Sequence, residues 1–151
     1  MEEVLGLRWE DIDFDAHVVH VQRAVVHPHR NQPVIKDPKT VSSNRIIPLV
    51  PALSELLAPL ETEGFIVGGL EPLTYQQQKR SFIKIRDFFG LEGFTAHDFR
   101  DTCATEWREA GMPLDVIAKV LGHSNTAVTE KCYVKHRKQS LDDARLIMSA
   151  M

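Results

Sequence analysis

Four polar side chains in the second half of the chain are of types that could bind or react with a ligand: His97, Arg100, His123 and Tyr133. His97 and Arg100 are three residues apart, so on a helix both would project from one face and could grip one anion. His123 follows a Leu-Gly pair, and Tyr133 lies ten positions after it. A guanidinium can donate to two oxygens of an anion at once, and imidazole titrates near neutral pH. Taken alone, the first pair is more typical of a structural histidine beside a surface ion pair.

Helical periodicity predicts the elements that must position these residues. A capping-box pattern at Thr95 and Asp98 predicts a helix over residues 96–110. A second helix is predicted over residues 114–121, and Gly122 supplies a left-handed stop. The apolar residues that share one face of this second helix are Leu114, Ile117, Ala118 and Leu121.

The first 50 residues have the pattern of a small antiparallel sheet. Runs rich in β-branched residues predict strands at 17–26 and 44–50, with a further strand at 34–36. Residues 27–33 are predicted to form a turn, and residues 37–43 a hairpin tip rich in turn formers.

After residue 50 the apolar spacing changes from that of a strand to that of a helix. Helices are predicted over 51–60 and 74–89, with weaker candidates at 125–132 and 141–148. The predicted fold class is therefore α+β and mainly helical, with a small antiparallel β-sheet followed by a helical bundle.

Composition and charge narrow the class of protein. With 151 residues, 43% hydrophobic and 26% charged, the chain has the balance of one ordinary domain. It has neither a long apolar run nor a signal-peptide pattern, so we expect a cytoplasmic protein with no membrane partner. A net charge of −3 argues mildly against nucleic acid, but basic residues cluster at 79–86 and around Tyr133. Each cluster by itself is equally typical of a solvated helix face.

The histidines and cysteines form no recognisable metal-ligand pattern. His17 and His20 are three apart in a predicted strand and should point to opposite faces, and His27-Pro-His29 lies in a predicted turn. We interpret Cys103 and Cys132 as free thiols. We expect neither a metal nor a cofactor, and zinc measured at one equivalent per chain would revive a metal site.

The order of these motifs resembles the signature of tyrosine recombinases and phage integrases, which is His-x-x-Arg, then Leu-Gly-His, then Tyr. The matching segments are Thr95 to Thr105, Leu121-Gly-His-Ser124 and Tyr133. Pro38-Lys-Thr40 with Arg45-Ile-Ile-Pro-Leu49 is similar to the family's lysine-bearing hairpin. The resemblance spans roughly residues 1–140 and implies the fold of the tyrosine recombinase catalytic domain.

The resemblance also implies a role for each residue. Tyr133 would attack the scissile phosphate and form a 3′-phosphotyrosyl link, with Arg100 and His123 donating to the phosphate oxygens. His97 would be the general base, and Lys39 the general acid that protonates the leaving 5′-oxygen. Lys36 is the rival to Lys39, because it lies on the strand just before the matched motif.

The family's Arg-x-x-Glu motif is incomplete in this sequence. If Glu3 is its glutamate, the arginine falls one place before Met1. Arg8 lies in a segment that the family does not use for chemistry, so we interpret it as structural. We therefore expect residues 1–151 to be one partial catalytic domain, truncated at its N-terminus and weak or inactive alone. Its predicted parts are a sheet portion (about 1–50), a helical portion (51–139) and a tail helix (140–151), and we expect the upstream core-DNA-binding domain to be absent from the chain.

The resemblance implies double-stranded DNA as the partner and no small-molecule substrate. It also implies that the protein is a monomer in the absence of DNA and a homotetramer on DNA. The main alternative is a non-catalytic DNA-binding remnant, and a type IB topoisomerase-like enzyme fits less well. The tail helix could pack on its own domain or on a neighbouring protomer. Aromatic residues at helical spacing are assigned to packing: Trp9, Trp107, Phe82, Phe88, Phe89 and Phe99.

Overall fold

The computed structural model of the protein describes residues 1–29, 32–36 and 44–123. The chain divides into two compact units, Met1–Gly93 and Phe94–Met151. Every strand among the described residues belongs to the first unit, and helices make up the described part of the second. The predicted α+β class, with antiparallel strands followed by helices, is confirmed. No helix in these ranges is both long and apolar enough to cross a bilayer.

A three-stranded antiparallel sheet covers the first of two hydrophobic core clusters among the described residues of the first unit. Its strands are β1 (Ile12–Asp13), β2 (Val18–Val21) and β5 (Arg45–Pro48), with β2 in the centre. Successive side chains point to opposite faces, so alternate residues of β2 are buried. The buried residues that pack together beneath this sheet are Trp9, Ile12, Val19 and Leu49.

The prediction of one strand over residues 17–26 is wrong. The strand β2 ends at Val21, and β3 (Ala24–His29) belongs to a separate antiparallel pair with β4 (Gln32–Lys36). The two residues between the strands bind the carboxylate of Asp11 through their side chains. Gln22 Nε2 donates to Oδ1 and Arg23 Nη1 donates to Oδ2, each at 2.6 Å.

The predicted turn over residues 27–33 is also wrong, because β3 continues through His29 and β4 begins at Gln32. The pairing register shifts between Val26 and His29, since Val26 opposes Val34 while His29 opposes Gln32. Two residues of β3 therefore face one residue of β4, which is a β-bulge. A bulge accommodates Pro28, which has no N–H to donate to the ladder.

Asp11 is a buried polar residue of the first unit whose carboxylate has several hydrogen-bond partners. It is 1% exposed, and its Oδ2 also accepts the backbone N–H of Arg8 at 2.8 Å. The carboxylate therefore joins the start of the 3₁₀ turn Trp9–Asp11 to the junction between β2 and β3. A buried charge that is paired and hydrogen-bonded on several sides becomes costly when a partner is removed.

We predict that Asp11→Ala destabilises the first unit by roughly 3 kcal/mol, because it strands the guanidinium of Arg23. The matched control is Asp15→Ala, an exposed carboxylate nearby that should cost about 0.5 kcal/mol or less. Urea unfolding followed by Trp9 fluorescence, in a Trp107→Phe background, measures both changes. Equal small losses in the two variants would show that the Asp11 contacts contribute little.

Helix α1 (Glu2–Gly6) packs against β3 and closes a second small core. This core contains Leu5, Val25 and Phe65. Gly6 permits the close approach, because a Cβ there would lie 2.7 Å from the carbonyl oxygen of Arg23.

Two further helices complete the first unit. Helix α2 (Pro51–Leu57) continues into a 3₁₀ turn, Ala58–Leu60, and only Leu57 of its predicted apolar face packs on the first core. The other leucines of that face are exposed: Leu53, Leu56 and Leu60.

Helix α3 (Tyr75–Phe88) begins at the N-cap Thr74, close to the predicted bounds. Trp9 is in the core at 6% exposed, so its assignment to packing is confirmed. That assignment is wrong for Phe88 and Phe89, which are 82% and 66% exposed at the end of α3.

The second unit contains α4 (Ala96–Glu109) and α5 (Leu114–Leu121) among its described residues. Both predicted helices are confirmed, including the N-cap at Thr95 and the left-handed Gly122. The two helices pack against one another, and Ile117 and Ala118 of the predicted apolar face are buried. The predicted helices at 125–132 and 141–148 lie outside the described residues.

Candidate active site

The first turn of α4 is fixed by a reciprocal cap. The Thr95 hydroxyl accepts the backbone N–H of Asp98 at 3.4 Å, and the Asp98 carboxylate accepts the backbone N–H of Thr95 at 2.7 Å. Both bonds satisfy N–H groups that the start of a helix leaves without intrahelical partners. The cap therefore sets where His97 and Arg100 leave the helix.

The end of α5 is a Schellman motif built on Gly122. This glycine has φ 72° and ψ 30°, and its N–H donates to the carbonyl of Lys119 at 3.1 Å. The N–H of His123 donates back to the carbonyl of Ala118 at 2.9 Å. This pair of bonds ends the helix and turns His123 back along it.

The side chain of Arg100 meets the end of α5. Its Nε–H donates to Nε2 of His123 at 3.1 Å, and its Nη2 donates to the carbonyl oxygen of Leu121. Because Arg100 always carries its protons, Nε2 of His123 is the acceptor, and a neutral imidazole then has its proton on Nδ1. Two predicted site residues, 23 positions apart, are thus brought together.

His97 lies in the first turn of α4, one turn before Arg100, and is exposed. A spacing of three residues puts the two side chains on the same face of the helix. The second unit therefore brings three polar residues to one end of the helix pair.

Two of the five predicted site residues, Lys39 and Tyr133, lie outside the described residues. Lys36, the rival to Lys39, is the last residue of β4 and is exposed. Arg8 lies with its guanidinium carbon 4.7 Å from the centre of the Phe65 ring and pairs weakly with Glu10 at 3.5 Å. These contacts support a structural role for Arg8.

Two further contacts were not predicted from the sequence. The first is the carbonyl of Leu121, a backbone acceptor that no side-chain motif reveals. The second is a bidentate ion pair between Glu3 and Arg45, with N–O distances of 2.7 and 3.0 Å. Only the appearance of Glu3 and Arg45 in separate matched motifs hinted at the second contact.

The described histidines, cysteines and carboxylates do not converge on a metal-binding cluster. His17 lies in a turn with φ 53°, so its prediction as a strand residue is wrong. Cys103 is a free, exposed thiol, and Cys132 lies outside the described residues.

Comparison with known proteins gives one consistent family. The sequence profile of the Phage integrase family matches residues 1–140. A XerC-like tyrosine recombinase of Caldanaerobacter subterraneus subsp. tengcongensis is 28% identical over 159 residues, covering 87% of this chain and 41% of that protein. The tyrosine recombinase XerC of Rickettsia canadensis is 34% identical over 109 residues, covering 63% of this chain and 36% of that protein.

Solved structures share the fold. The Tn1549 transposon integrase, in complex with circular intermediate DNA, superposes with a TM-score of 0.69 at 21% identity, covering 93% of this chain and 54% of that one. The XerA recombinase gives a TM-score of 0.65 at 17% identity, covering 87% of this chain and 45% of that one. The predicted fold of the tyrosine recombinase catalytic domain is confirmed.

The chain spans about two fifths of the length of the curated recombinases it matches. The profile match nevertheless covers most of the chain and includes both helices that carry the candidate site. The chain belongs to the phage integrase family, whose members include these tyrosine recombinases.

Proposed function

We propose that the protein takes part in site-specific DNA recombination by cutting and rejoining DNA strands through a 3′-phosphotyrosyl intermediate. One observation carries this proposal: the Arg100 guanidinium is held between the Leu121 carbonyl and the His123 imidazole, where the N-terminal part of α4 meets the C-terminal end of α5. A guanidinium fixed in advance stabilises the negative charge of a phosphate in its transition state without having to reorganise.

The reaction is an exchange of phosphodiester bonds. The hydroxyl oxygen of Tyr133 attacks phosphorus, and the bond from phosphorus to the 5′-oxygen breaks. The phenol proton passes to His97, and the leaving oxygen takes a proton from Lys39. The intermediate keeps one phosphodiester, so a 5′-hydroxyl can reverse the step and rejoin the strand.

Arg100 and His123 act on the phosphate rather than on the proton transfers. Arg100 directs its planar fork at two nonbridging oxygens, which matches the geometry of a phosphate. While Nε2 of His123 accepts from Arg100, a neutral imidazole carries its proton on Nδ1, and we propose that this proton is donated to a phosphate oxygen.

The relatives support DNA as the partner. The Tn1549 integrase was solved in complex with DNA, and the curated relatives are tyrosine recombinases. By extension, we propose double-stranded DNA as the substrate of this chain, with a homotetramer on DNA and a monomer alone. The tail helix over 140–151 remains a prediction, as does its packing in cis or in trans.

A nicked duplex tests the proposed chemistry. Cleavage near the nick releases a short oligonucleotide, so the reverse reaction is lost and a covalent protein–DNA adduct accumulates. The adduct is read on a denaturing gel with labelled DNA. DNA binding without any adduct, in the chain with an arginine placed before Met1, would favour the alternative of a non-catalytic DNA-binding remnant.

The Arg-x-x-Glu motif gives a separate prediction. The 151-residue chain should form the adduct about 10²–10³ times more slowly than the same chain with one arginine added directly before Met1, the loss expected for one phosphate donor. Alanine added at the same place is the matched control and should not raise the rate. Equal rates for the three proteins would show that Glu3 does not mark the Arg-x-x-Glu motif.

A further inference from the structure

We propose that Gly122 and the main-chain carbonyl of Leu121 form a positioning device that sets the orientation of the Arg100 guanidinium. This inference rests on the proposed function, in which Arg100 binds the scissile phosphate. The residue type at 122 and the backbone conformation that it permits then determine how well the site stabilises the transition state.

The end of α5 supplies the acceptor. The last four carbonyls of a helix have no intrahelical partner, and this end also carries partial negative charge. The Schellman bonds use the carbonyls of Ala118 and Lys119. The carbonyl of Leu121 accepts from Nη2 of Arg100, so a cationic side chain caps the helix.

Gly122 makes both contacts of Arg100 possible. Its φ of 72° lies in the left-handed region, which is unfavourable for most L-residues but costs glycine almost nothing. If residue 122 instead continued the right-handed helix, the Leu121 carbonyl would accept from an N–H four residues later. His123 would then be the next residue of the helix, about 100° round the helix axis from residue 122, instead of turning back along the helix. The two acceptors of the guanidinium would no longer face the same point.

The two acceptors also hold Arg100 at two separate places. His123 takes the Nε–H and Leu121 takes a proton of Nη2, so the plane of the guanidinium is fixed as well as its position. A long arginine side chain otherwise populates many rotamers and loses that entropy when it is ordered. Holding it in advance removes that cost from the step in which phosphate is bound.

Two substitutions of Gly122 distinguish the effect of backbone conformation from the effect of side-chain size. Gly122→Val disfavours the left-handed conformation, whereas Gly122→Asn adds a side chain of similar size that tolerates it. The matched control is Gly111→Val, since Gly111 also ends a helix of this unit, with φ 90° and open space around its would-be Cβ. Gly122→Ala serves if the valine variant fails to fold, and thermal melting checks every protein.

The first measurement needs no DNA. In ¹⁵N spectra of the 151-residue chain, the Nε proton of Arg100, assigned with Arg100→Lys, should exchange slowly with solvent because it is hydrogen-bonded. We expect Gly122→Val to speed this exchange at least about tenfold, for the loss of about 1.4 kcal/mol of protection, while Gly122→Asn and Gly111→Val leave it slow. Slow exchange in a folded Gly122→Val protein overturns the proposal.

The second measurement is adduct formation on nicked DNA, with the arginine placed before Met1 in every variant. We expect Gly122→Val to lose about 10²-fold, the effect of a displacement of order 1 Å at a reacting site. Gly122→Asn should restore most of the rate, and Gly111→Val should change it little. Equal losses at 122 and 111 overturn the inference. A wild-type chain that forms no adduct contradicts the proposed function instead, and the exchange measurement then still decides the positioning of Arg100.

Discussion

Tyr133→Phe is expected to abolish the covalent protein–DNA adduct while leaving DNA binding intact. Phenylalanine keeps the ring but lacks the oxygen that would bond to phosphorus, so no residual route to the phosphotyrosyl intermediate remains. Labelled nicked duplex, resolved on a denaturing gel, measures the adduct, and a native gel shift measures binding. Both assays should use the chain with an arginine placed before Met1.

The sequence offers a close control for this experiment. It contains two tyrosines, and the other one, Tyr75, is the first residue of α3 and is 40% exposed. Its ring lies 6.0 Å from that of His27, a contact that Tyr75→Phe retains. We expect Tyr75→Phe to form the adduct at the wild-type rate. An adduct that survives Tyr133→Phe but disappears in Tyr75→Phe would show that the nucleophile is Tyr75 and not Tyr133.

Local signals predicted the helices of the candidate site well. Two of these signals are the capping pair at Thr95 and Asp98 and the left-handed glycine at 122. Both satisfy backbone groups only a few residues away, so they can be predicted from the local sequence. The spacing of His97 and Arg100 likewise predicted a shared face. Each of these predictions needed only one helix and its ends.

Predictions that depended on distant partners did less well. The break between β2 and β3 follows from Gln22 and Arg23 binding Asp11, which is 11 and 12 residues away. A run of β-branched residues carries no sign of that carboxylate. The bulge at Pro28 is similarly visible only when β3 is paired with β4. Strand boundaries here are set by tertiary contacts rather than by propensity.

The candidate site shows the same division. Periodicity places Arg100 and His123 on two helices, but the contact between them needs α4 to pack against α5 in one register. The resemblance to the tyrosine recombinases implied that the two residues act together, whereas physical reasoning from the sequence did not. The ion pair between Glu3 and Arg45, 42 residues apart, could not be foreseen from either residue alone.

Arg100→Ala is expected to lower the rate of adduct formation by about 10²–10³-fold, the effect of removing one preorganised donor from a developing oxyanion. Arg100→Lys should recover little, because a lysine ammonium cannot bind two phosphate oxygens as a planar fork. Arg108→Ala, in the last turn of the same helix, is the matched control and should react at nearly the wild-type rate. Single-turnover rates on nicked DNA measure all three variants.

A change in the substrate shows whether Arg100 acts on phosphate charge. Replacing one nonbridging oxygen of the scissile phosphate by a methyl group removes the negative charge that the guanidinium is proposed to neutralise. On this methylphosphonate the gap between wild type and Arg100→Ala should shrink by at least about tenfold, since little oxyanion charge then develops towards residue 100. A gap of the same size on both substrates would mean that Arg100 maintains the fold of the helix pair and does not bind the phosphate. Because the Leu121 carbonyl and His123 hold the guanidinium in advance, the charge-dependent outcome is the one that the geometry supports.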